Sequence, residues 1–196
     1  HKLLKNELEI DLGSNSFNKD VTCQAIISNQ SIKAYFVART RIVLCGIRFV
    51  ESYVKSLKNG IIIKLFYSDG DMVKSNKWIA SLEGDAKIIL GLERTLLNFL
   101  QHLSSITTTT YLLKEKLKDT KIQLLDTRKT ITGLRIVQKY ATHKGGAKNH
   151  RIGLYDKIFI KDNHISIAGG VENVTKILRK KNIKNYIVEC DNYNEA

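Results

Sequence analysis

The chain has 196 residues, of which 43% are hydrophobic and 26% are charged, a composition typical of a soluble globular protein. No apolar run approaches the length of about 18 residues that a membrane span needs, and no signal peptide is found. The net charge of +13 is compatible with binding to nucleic acid. The aromatic residues, however, are not interleaved with basic runs, as a surface that stacks the bases of a single strand requires. We therefore expect neither a membrane nor a nucleic-acid partner.

Three cysteines, Cys23, Cys45 and Cys190, are far apart and form no CxxC pair. An odd number of scattered cysteines indicates a reduced, cytoplasmic protein and argues against a redox or metal role for them. The chain begins without methionine and ends just after an apparent strand, so we expect it to be a fragment of a longer protein.

The first 95 residues mix helix and strand patterns. The predicted elements are a helical or irregular lead-in over 1–20 that ends in a Gly/Ser/Asn loop, a hairpin of strands at 21–27 and 31–38, a helix at 45–57, and strands at 61–67 and 77–83 paired through the SDGD turn. Asn59 and Gly60 provide a helix stop. These elements predict a small α+β layer with an antiparallel sheet.

After Gly84 the apolar residues recur at the spacing of a helix, and Leu92, Leu96 and Leu103 lie on one face of it. The hydroxyl-rich run SSITTTT at 104–110 is predicted to cap this helix or form a junction, because hydroxyl residues cap helices well. The predicted elements that follow are helices at 111–117, 133–140 and 171–181 and strands at 122–125, 157–160 and 186–190. This alternation favours parallel βα units, in a barrel or an open doubly wound sheet.

Two of these short apolar runs end in clusters of charge. The run 122–125 is followed by DTRK at 126–129, and the run 158–160 is followed by KDNH at 161–164. Ligands of α/β proteins bind outside the carboxyl ends of parallel strands, so this pattern predicts a site. The region is mainly cationic, which indicates an anionic small molecule. Its basic residues are Arg128, Lys129, Arg135, Lys144, Lys148, His150, Arg151 and Lys161.

Several motifs in this region resemble those of one family. DTRKTITGLR from 126, KYATHKGGAKNHRIGLYD from 139 and IKDNHI from 160 resemble the core signature of quinolinate phosphoribosyltransferase, the nicotinate-nucleotide pyrophosphorylase (carboxylating). LERTLLNFLQHLSSITT from 92 and VECDNYNEA from 188 resemble the helix before and the acidic strand after that core. The resemblance implies an α/β protein with an N-terminal α+β open sandwich domain over 1–95. A partial TIM-like α/β barrel over 96–196, truncated at its C-terminal end, is expected to follow.

The resemblance also implies an activity and its residues. The enzyme would be a pentosyltransferase of NAD biosynthesis, which converts quinolinate and phosphoribosyl diphosphate to nicotinate mononucleotide, CO₂ and pyrophosphate. The implied substrate-binding residues are Arg94, Thr127, Arg128, Lys129, His150, Arg151, Lys161 and Glu189. Lys129, Lys161 and Glu189 are expected to be catalytic, and Glu189 is expected to hold Mg²⁺. Arg94 is expected to reach the neighbouring site across a two-fold interface, which implies a homodimer or a higher oligomer.

Other interpretations of the same residues stay open. DTRK could be a solvated loop in which Asp126 pairs with Arg128, His150 could be a structural hydrogen-bonding residue, and Arg94 could be a surface charge beside the core stripe. His164 is expected to be structural or to support other site residues. For the whole chain, the alternatives are a same-fold paralogue with another substrate, a basic nucleic-acid-binding fragment, and a catalytically inactive remnant.

Four features depart from the family pattern. Ala147 replaces the third glycine before NHR, which is tolerable only if this position does not need positive φ. Ile131-Thr132 replaces Thr-Pro, and Lys19-Asp20-Val21-Thr22 replaces Gly-Asp-x-Thr. The glycine-rich phosphate loops and a second acidic strand end are not found. We therefore expect this polypeptide alone to be weakly active or inactive.

Overall fold

The computed structural model describes residues 1–14 and 16–193. Asn15, part of the predicted lead-in loop, and residues 194–196, the end of the VECDNYNEA motif, lie outside the described residues. Contacts divide the chain into a first unit, residues 1–126 and 130–149, and a second unit, residues 127–129 and those from His150 onward. A domain boundary after residue 95 stays a prediction.

The first unit contains most of the regular structure. Its helices are α1 (Lys2–Leu12), α2 (Val21–Ile26), α3 (Ile47–Ser56), α4 (Ala86–Lys116) and α5 (Arg135–Lys144), with a 3₁₀ turn at Phe17–Lys19. Its strands are β1 (Ser31–Ala38), β2 (Ile42–Val43), β3 (Ile62–Leu65), β4 (Met72–Val73) and β5 (Lys77–Asp85). The predicted antiparallel sheet is confirmed, in the order β1-β5-β3, with Tyr35 opposite Ser81 and Ile63 opposite Leu82. Strands β2 and β4 form a separate antiparallel pair.

The core of this unit lies between the sheet and helices α1, α3 and α4. The stripe predicted on α4 is confirmed, because Leu92, Leu96 and Leu103 are fully buried. Each such leucine contributes about 1.5–3 kcal/mol relative to an exposed position. Asp85 begins α4 by accepting hydrogen bonds from the backbone N–H groups of Lys87 and Ile88, at 2.8 and 3.2 Å.

Two predictions for the part of this unit before residue 120 are wrong. Residues 21–27 were expected to be a strand of a hairpin but form α2, because the Asp20 carboxylate accepts from Cys23 N–H at 3.0 Å and caps a short helix. The SSITTTT run was expected to end a helix, but α4 continues through it and includes the helix expected at 111–117. Its hydroxyl groups instead donate to carbonyl oxygens one turn earlier, as Thr107 does to Leu103 at 2.9 Å and Thr110 to Ile106 at 2.8 Å.

Helix α5 packs on α4 and ends at a glycine pair. The backbone of Gly145 lies so close to α4 that an added Cβ would be 2.6 Å from the Thr107 carbonyl oxygen. Positive φ (97°) occurs at Gly146, whereas Ala147 is outside the left-handed region, so the alanine in place of a third glycine is tolerated. The strand predicted at 122–125 is wrong as a strand, since only an isolated parallel bridge joins Leu125 to Lys148.

The second unit consists of parallel βα structure, as the alternating pattern predicts. Strand β6 (Ile158–Ile160) is followed by helices α6 (Asp162–Ala168) and α7 (Val171–Lys180) and then by β7 (Tyr186–Val188). Strands β6 and β7 are parallel neighbours, with Ile160 opposite Val188. A small core of Ile160, Val174 and Leu178 joins α7 to the strands. Across residues 1–14 and 16–193, no helix combines the length and apolarity that crossing a membrane demands.

Candidate active site

The parallel strand pair places a lysine and a glutamate side by side. Lys161 follows β6 and Glu189 follows β7, and the register of the strands aligns these two positions. The Lys161 Nζ lies 2.7 Å from the Glu189 Oε2, and both side chains are partly exposed, at 39% and 48%. The Glu189 N–H also donates to the Ile160 carbonyl oxygen at 2.9 Å. A cation and a carboxylate therefore lie together at the carboxyl edge of the sheet.

Three of the predicted site residues contact the aromatic ring of Phe159. The Arg151 guanidinium carbon and the Lys161 Nζ each lie 5.0 Å from the ring centroid, and the His150 ring meets it edge-on at 5.5 Å. Cations are attracted to the face of an aromatic ring at such distances. Phe159 is not among the site residues predicted from the sequence. The available signal was its position two residues before Lys161, which puts both side chains on the same face of a strand.

Arg151 is the most buried of the predicted ligands, with 5% of its surface exposed. Its Nη1 donates to the Lys157 carbonyl oxygen at 3.2 Å, which fixes the guanidinium over Phe159. Arg151, Phe159 and His164 line a cavity of about 410 Å³ whose remaining wall is mostly aliphatic. The His164 Nδ1 accepts from the Lys161 N–H at 3.0 Å and so braces the start of α6.

The loop after Arg151 is closed by Asp156, which accepts from the Ile152 N–H at 2.5 Å. Desolvation opposes ionisation of this carboxyl, but the N–H groups of Ile152 and Gly153 outweigh it and hold the pKa of Asp156 below its usual range. Because the pKa of Asp156 is lower in the folded state, its carboxylate stabilises the loop at pH values above the ordinary carboxyl pKa. This stabilisation is lost as the pH falls through the folded-state pKa.

We expect the amide proton of Ile152 to shift upfield on acidification, because protonated Asp156 is a weaker acceptor. Proton NMR over an acid titration would measure this, with a midpoint below that of an unstructured aspartate. Asp156→Asn, which does not titrate, is the control. A midpoint at or above the ordinary value would contradict the hydrogen-bonded loop.

The segment Thr127–Lys129 clusters with the second unit. The Lys129 N–H donates to the Thr127 Oγ1 at 3.1 Å, which makes the segment a tight turn. Asp126, which precedes it, pairs with Arg128 in the alternative interpretation of DTRK as a solvated loop. The structure gives it a buried partner, Lys139, with Nζ and Oδ1 2.5 Å apart and each side chain 3% exposed.

Arg94 belongs to the first unit and is exposed on α4. Its expected role in a neighbouring site stays a prediction. Among residues 1–14 and 16–193, no group of three or more His, Cys, Asp or Glu side chains is arranged to hold a metal ion. Cys23 and Cys45 are buried free thiols.

Comparison with known proteins identifies the family. Residues 20–104 match the N-terminal domain of quinolinate phosphoribosyl transferase, and residues 106–196 match its C-terminal domain. A probable nicotinate-nucleotide pyrophosphorylase (carboxylating) from Methanocaldococcus jannaschii is 39% identical over 201 aligned residues, which cover 99% of this chain and 67% of that protein. The chain belongs to the quinolinate phosphoribosyl transferase family.

Two other family members are similar to this chain in sequence and in structure. A probable nicotinate-nucleotide pyrophosphorylase (carboxylating) from Bacillus subtilis is 39% identical over 91% of this chain, and the chain covers 61% of that protein. The crystal structure of a nicotinate-nucleotide pyrophosphorylase from Ehrlichia chaffeensis superposes with a TM-score of 0.91 at 34% identity, covering 99% of this chain and 70% of that one. The predicted α/β fold class, with an N-terminal α+β domain before a barrel-like α/β domain, is confirmed.

Proposed function

We propose that this chain carries the substrate-binding residues of a nicotinate-nucleotide pyrophosphorylase (carboxylating), a pentosyltransferase of NAD biosynthesis. The reaction joins quinolinate to the phosphoribosyl group of phosphoribosyl diphosphate and yields nicotinate mononucleotide, CO₂ and pyrophosphate. The observation that carries the proposal is the group of Arg151, Lys161 and His150 around Phe159, beside Glu189, in a member of this family. The substrates of this reaction are anionic, and the site is predominantly cationic.

The arginines suit the two carboxylates of quinolinate. A guanidinium presents parallel N–H groups that match a carboxylate in a bidentate pair. In this proposal Arg128 and Arg151 hold the carboxylates, and His150 and Thr127 complete the pocket. Burial of Arg151 supports its part, because a cation held in a site of low dielectric attracts an anion more strongly than an exposed one.

The lysines and Glu189 suit the phosphoribosyl side of the reaction. Cleavage of the bond between the anomeric carbon and pyrophosphate builds negative charge on the leaving group and positive charge on the ribose. Lys129 and Lys161 would neutralise the diphosphate, and Glu189 would stabilise the developing cation. The 2.7 Å separation of Lys161 and Glu189 supports these roles, because the pair offers one charge of each sign to a bond whose cleavage separates charge.

Mg²⁺ is part of the proposal, with Glu189 as its protein ligand. Mg²⁺ characteristically takes one or two carboxylates together with substrate phosphate oxygens, so a single partly exposed carboxylate fits. When bound, the ion would neutralise charge on the diphosphate. Glu189 would keep its place through its N–H bond to the Ile160 carbonyl oxygen and through Lys161.

The assembly and location are also proposals. A homodimer or higher oligomer, with Arg94 reaching the neighbouring site, is supported by the exposure of that side chain on α4. A cytoplasmic location is supported by the free thiols of Cys23 and Cys45.

Arg128→Ala tests the proposal through quinolinate binding measured by titration calorimetry. We expect the dissociation constant to rise by about 10–100-fold, since a hydrogen bond to a charged group contributes about 1.5–3 kcal/mol. The exposed Arg179 of α7 is the matched control, and Arg179→Ala is expected to bind as the unchanged chain does. Equal binding by the Arg128 variant, or no binding by the folded unchanged chain, would contradict the proposal.

A further inference from the structure

Two adjacent polar residues of α5, Gln138 and Lys139, are buried. Their exposed fractions are 8% and 3%. Polar groups in such positions are costly unless they are hydrogen-bonded, so their partners indicate what they hold in place. Both partners lie in the chain on either side of the turn Thr127–Lys129.

Lys139 holds the residue before the turn. Its Nζ contacts the Asp126 Oδ1, and the Thr142 Oγ1 lies 3.4 Å from the other carboxylate oxygen. The Asn149 side chain faces the Lys139 carbonyl oxygen and the Asp126 Oδ2, both acceptors, so its amide nitrogen points to them and donates at 3.1 Å to each. Asn149 directly precedes His150. Lys139 and its partners therefore fix the starting points of two substrate-binding segments.

Gln138 holds the chain two residues after the turn. Its Oε1 accepts from the Ile131 N–H at 3.0 Å. The amide nitrogen of Gln138 then faces the His102 Nε2 of α4 at 2.9 Å and donates to it. The side chain is thus fixed at both ends, between α4 and the loop that carries Arg128.

We propose that Gln138 and Lys139 are positioning residues that clamp the turn Thr127–Lys129 at its two flanks. Inside the turn, the Lys129 N–H donates to the Thr127 Oγ1, which by itself is a weak local constraint. The clamp limits the conformations in which Arg128 and Lys129 can lie. This inference rests on the proposed function, because it assigns the clamp to the substrate-binding turn.

The clamp raises the affinity for quinolinate by increasing the fraction of molecules in which the turn has the binding conformation. When only a fraction of molecules has the binding geometry, the apparent dissociation constant rises by the inverse of that fraction. A turn released at one flank samples many conformations, and a competent fraction of about one tenth gives a tenfold weaker affinity. The rigidity of the turn and its ligand affinity should therefore change together.

Gln138→Leu tests this, because leucine has a similar size but no acceptor for the Ile131 N–H. We expect the quinolinate dissociation constant to rise about tenfold, with exchange of the Lys129 amide hydrogen about tenfold faster. The Lys129 amide is informative because its own bond, to Thr127, is not removed. Gln138→Glu keeps the acceptor oxygen and is expected to recover most of the affinity.

Ser104→Ala is the matched control. Ser104 is also a buried polar side chain of the first unit, and its hydroxyl accepts from the Cys45 N–H at 3.0 Å and donates to the Cys45 carbonyl oxygen at 3.3 Å. This variant should melt at a lower temperature with unchanged quinolinate affinity and unchanged Lys129 exchange. Unchanged Lys129 exchange in a folded Gln138→Leu chain would overturn the clamp. Faster exchange in a chain that does not bind quinolinate would support the clamp and reject the proposed function.

Discussion

Lys139→Met is expected to lower the free energy of unfolding by about 3–5 kcal/mol. The variant removes one partner of a buried ion pair and leaves the Asp126 carboxylate in a place where its side chain is 3% exposed. Removing the opposite charge costs more than the pair contributed, because the carboxylate has lost its hydration and Lys139 supplies the compensating charge in the buried pair. Urea unfolding followed by circular dichroism would measure the change as a lower midpoint at an unchanged slope.

Two further variants separate the charge effect from a packing effect. Asp126→Asn combined with Lys139→Met removes both charges and is expected to recover a large part of the lost stability. Lys176→Met, in the exposed pair with Glu172, is expected to change stability by about 0.5 kcal/mol or less. If Lys139→Met and Lys176→Met cost the same, the Lys139–Asp126 pair is not the stabilising contact that its burial indicates.

Two of the site residues predicted from the sequence, Lys161 and Glu189, have a chemistry that coincides with a strand end. Lys161 and Glu189 each follow a short apolar run, and parallel pairing of β6 and β7 places both at one edge. Lys139 and Gln138 are not predicted from the sequence, because they do not lie at a strand end. They lie inside a helix, where a lysine and a glutamine ordinarily face solvent, and only the tertiary structure buries them. Such positions carry no local signal of burial.

The errors in secondary structure have the same origin. The threonine run of α4 resembles a helix end because hydroxyl groups cap helices, yet Thr107 is fully buried. Its single hydroxyl proton is shared between the Leu103 carbonyl oxygen and the Ala141 carbonyl oxygen of α5, at 2.9 and 3.0 Å. Residues 21–26 carried β-forming residues, but the Asp20 cap and burial of Cys23 favour a helix. In both segments a tertiary contact or a cap outweighed the intrinsic propensity.

Gly145→Ala is the second change with a large expected effect, a loss of about 3 kcal/mol of unfolding free energy. An added Cβ would lie 2.5 Å from the Thr110 Cβ and 2.6 Å from the Thr107 carbonyl oxygen. The second contact is with backbone, so a rotamer change cannot relieve it, and α5 must move away from α4. Gly133→Ala is the control, since that glycine has φ of 83° but nothing within 4 Å of its Cβ. Backbone strain alone predicts a loss of about 1–2 kcal/mol there.

The displacement of α5 gives Gly145→Ala a second consequence. Helix α5 carries Gln138 and Lys139, and its position on α4 is set by the close approach at Gly145 and by the Thr107 hydroxyl bonded to Ala141. A shift of α5 therefore displaces both flanks of the turn at Thr127–Lys129, although Gly145 itself is 16 residues from Lys129 along the sequence. We expect faster exchange of the Lys129 amide in Gly145→Ala, measured under conditions where the variant stays folded. A destabilised variant with unchanged Lys129 exchange would mean that the turn is held independently of the packing of α5.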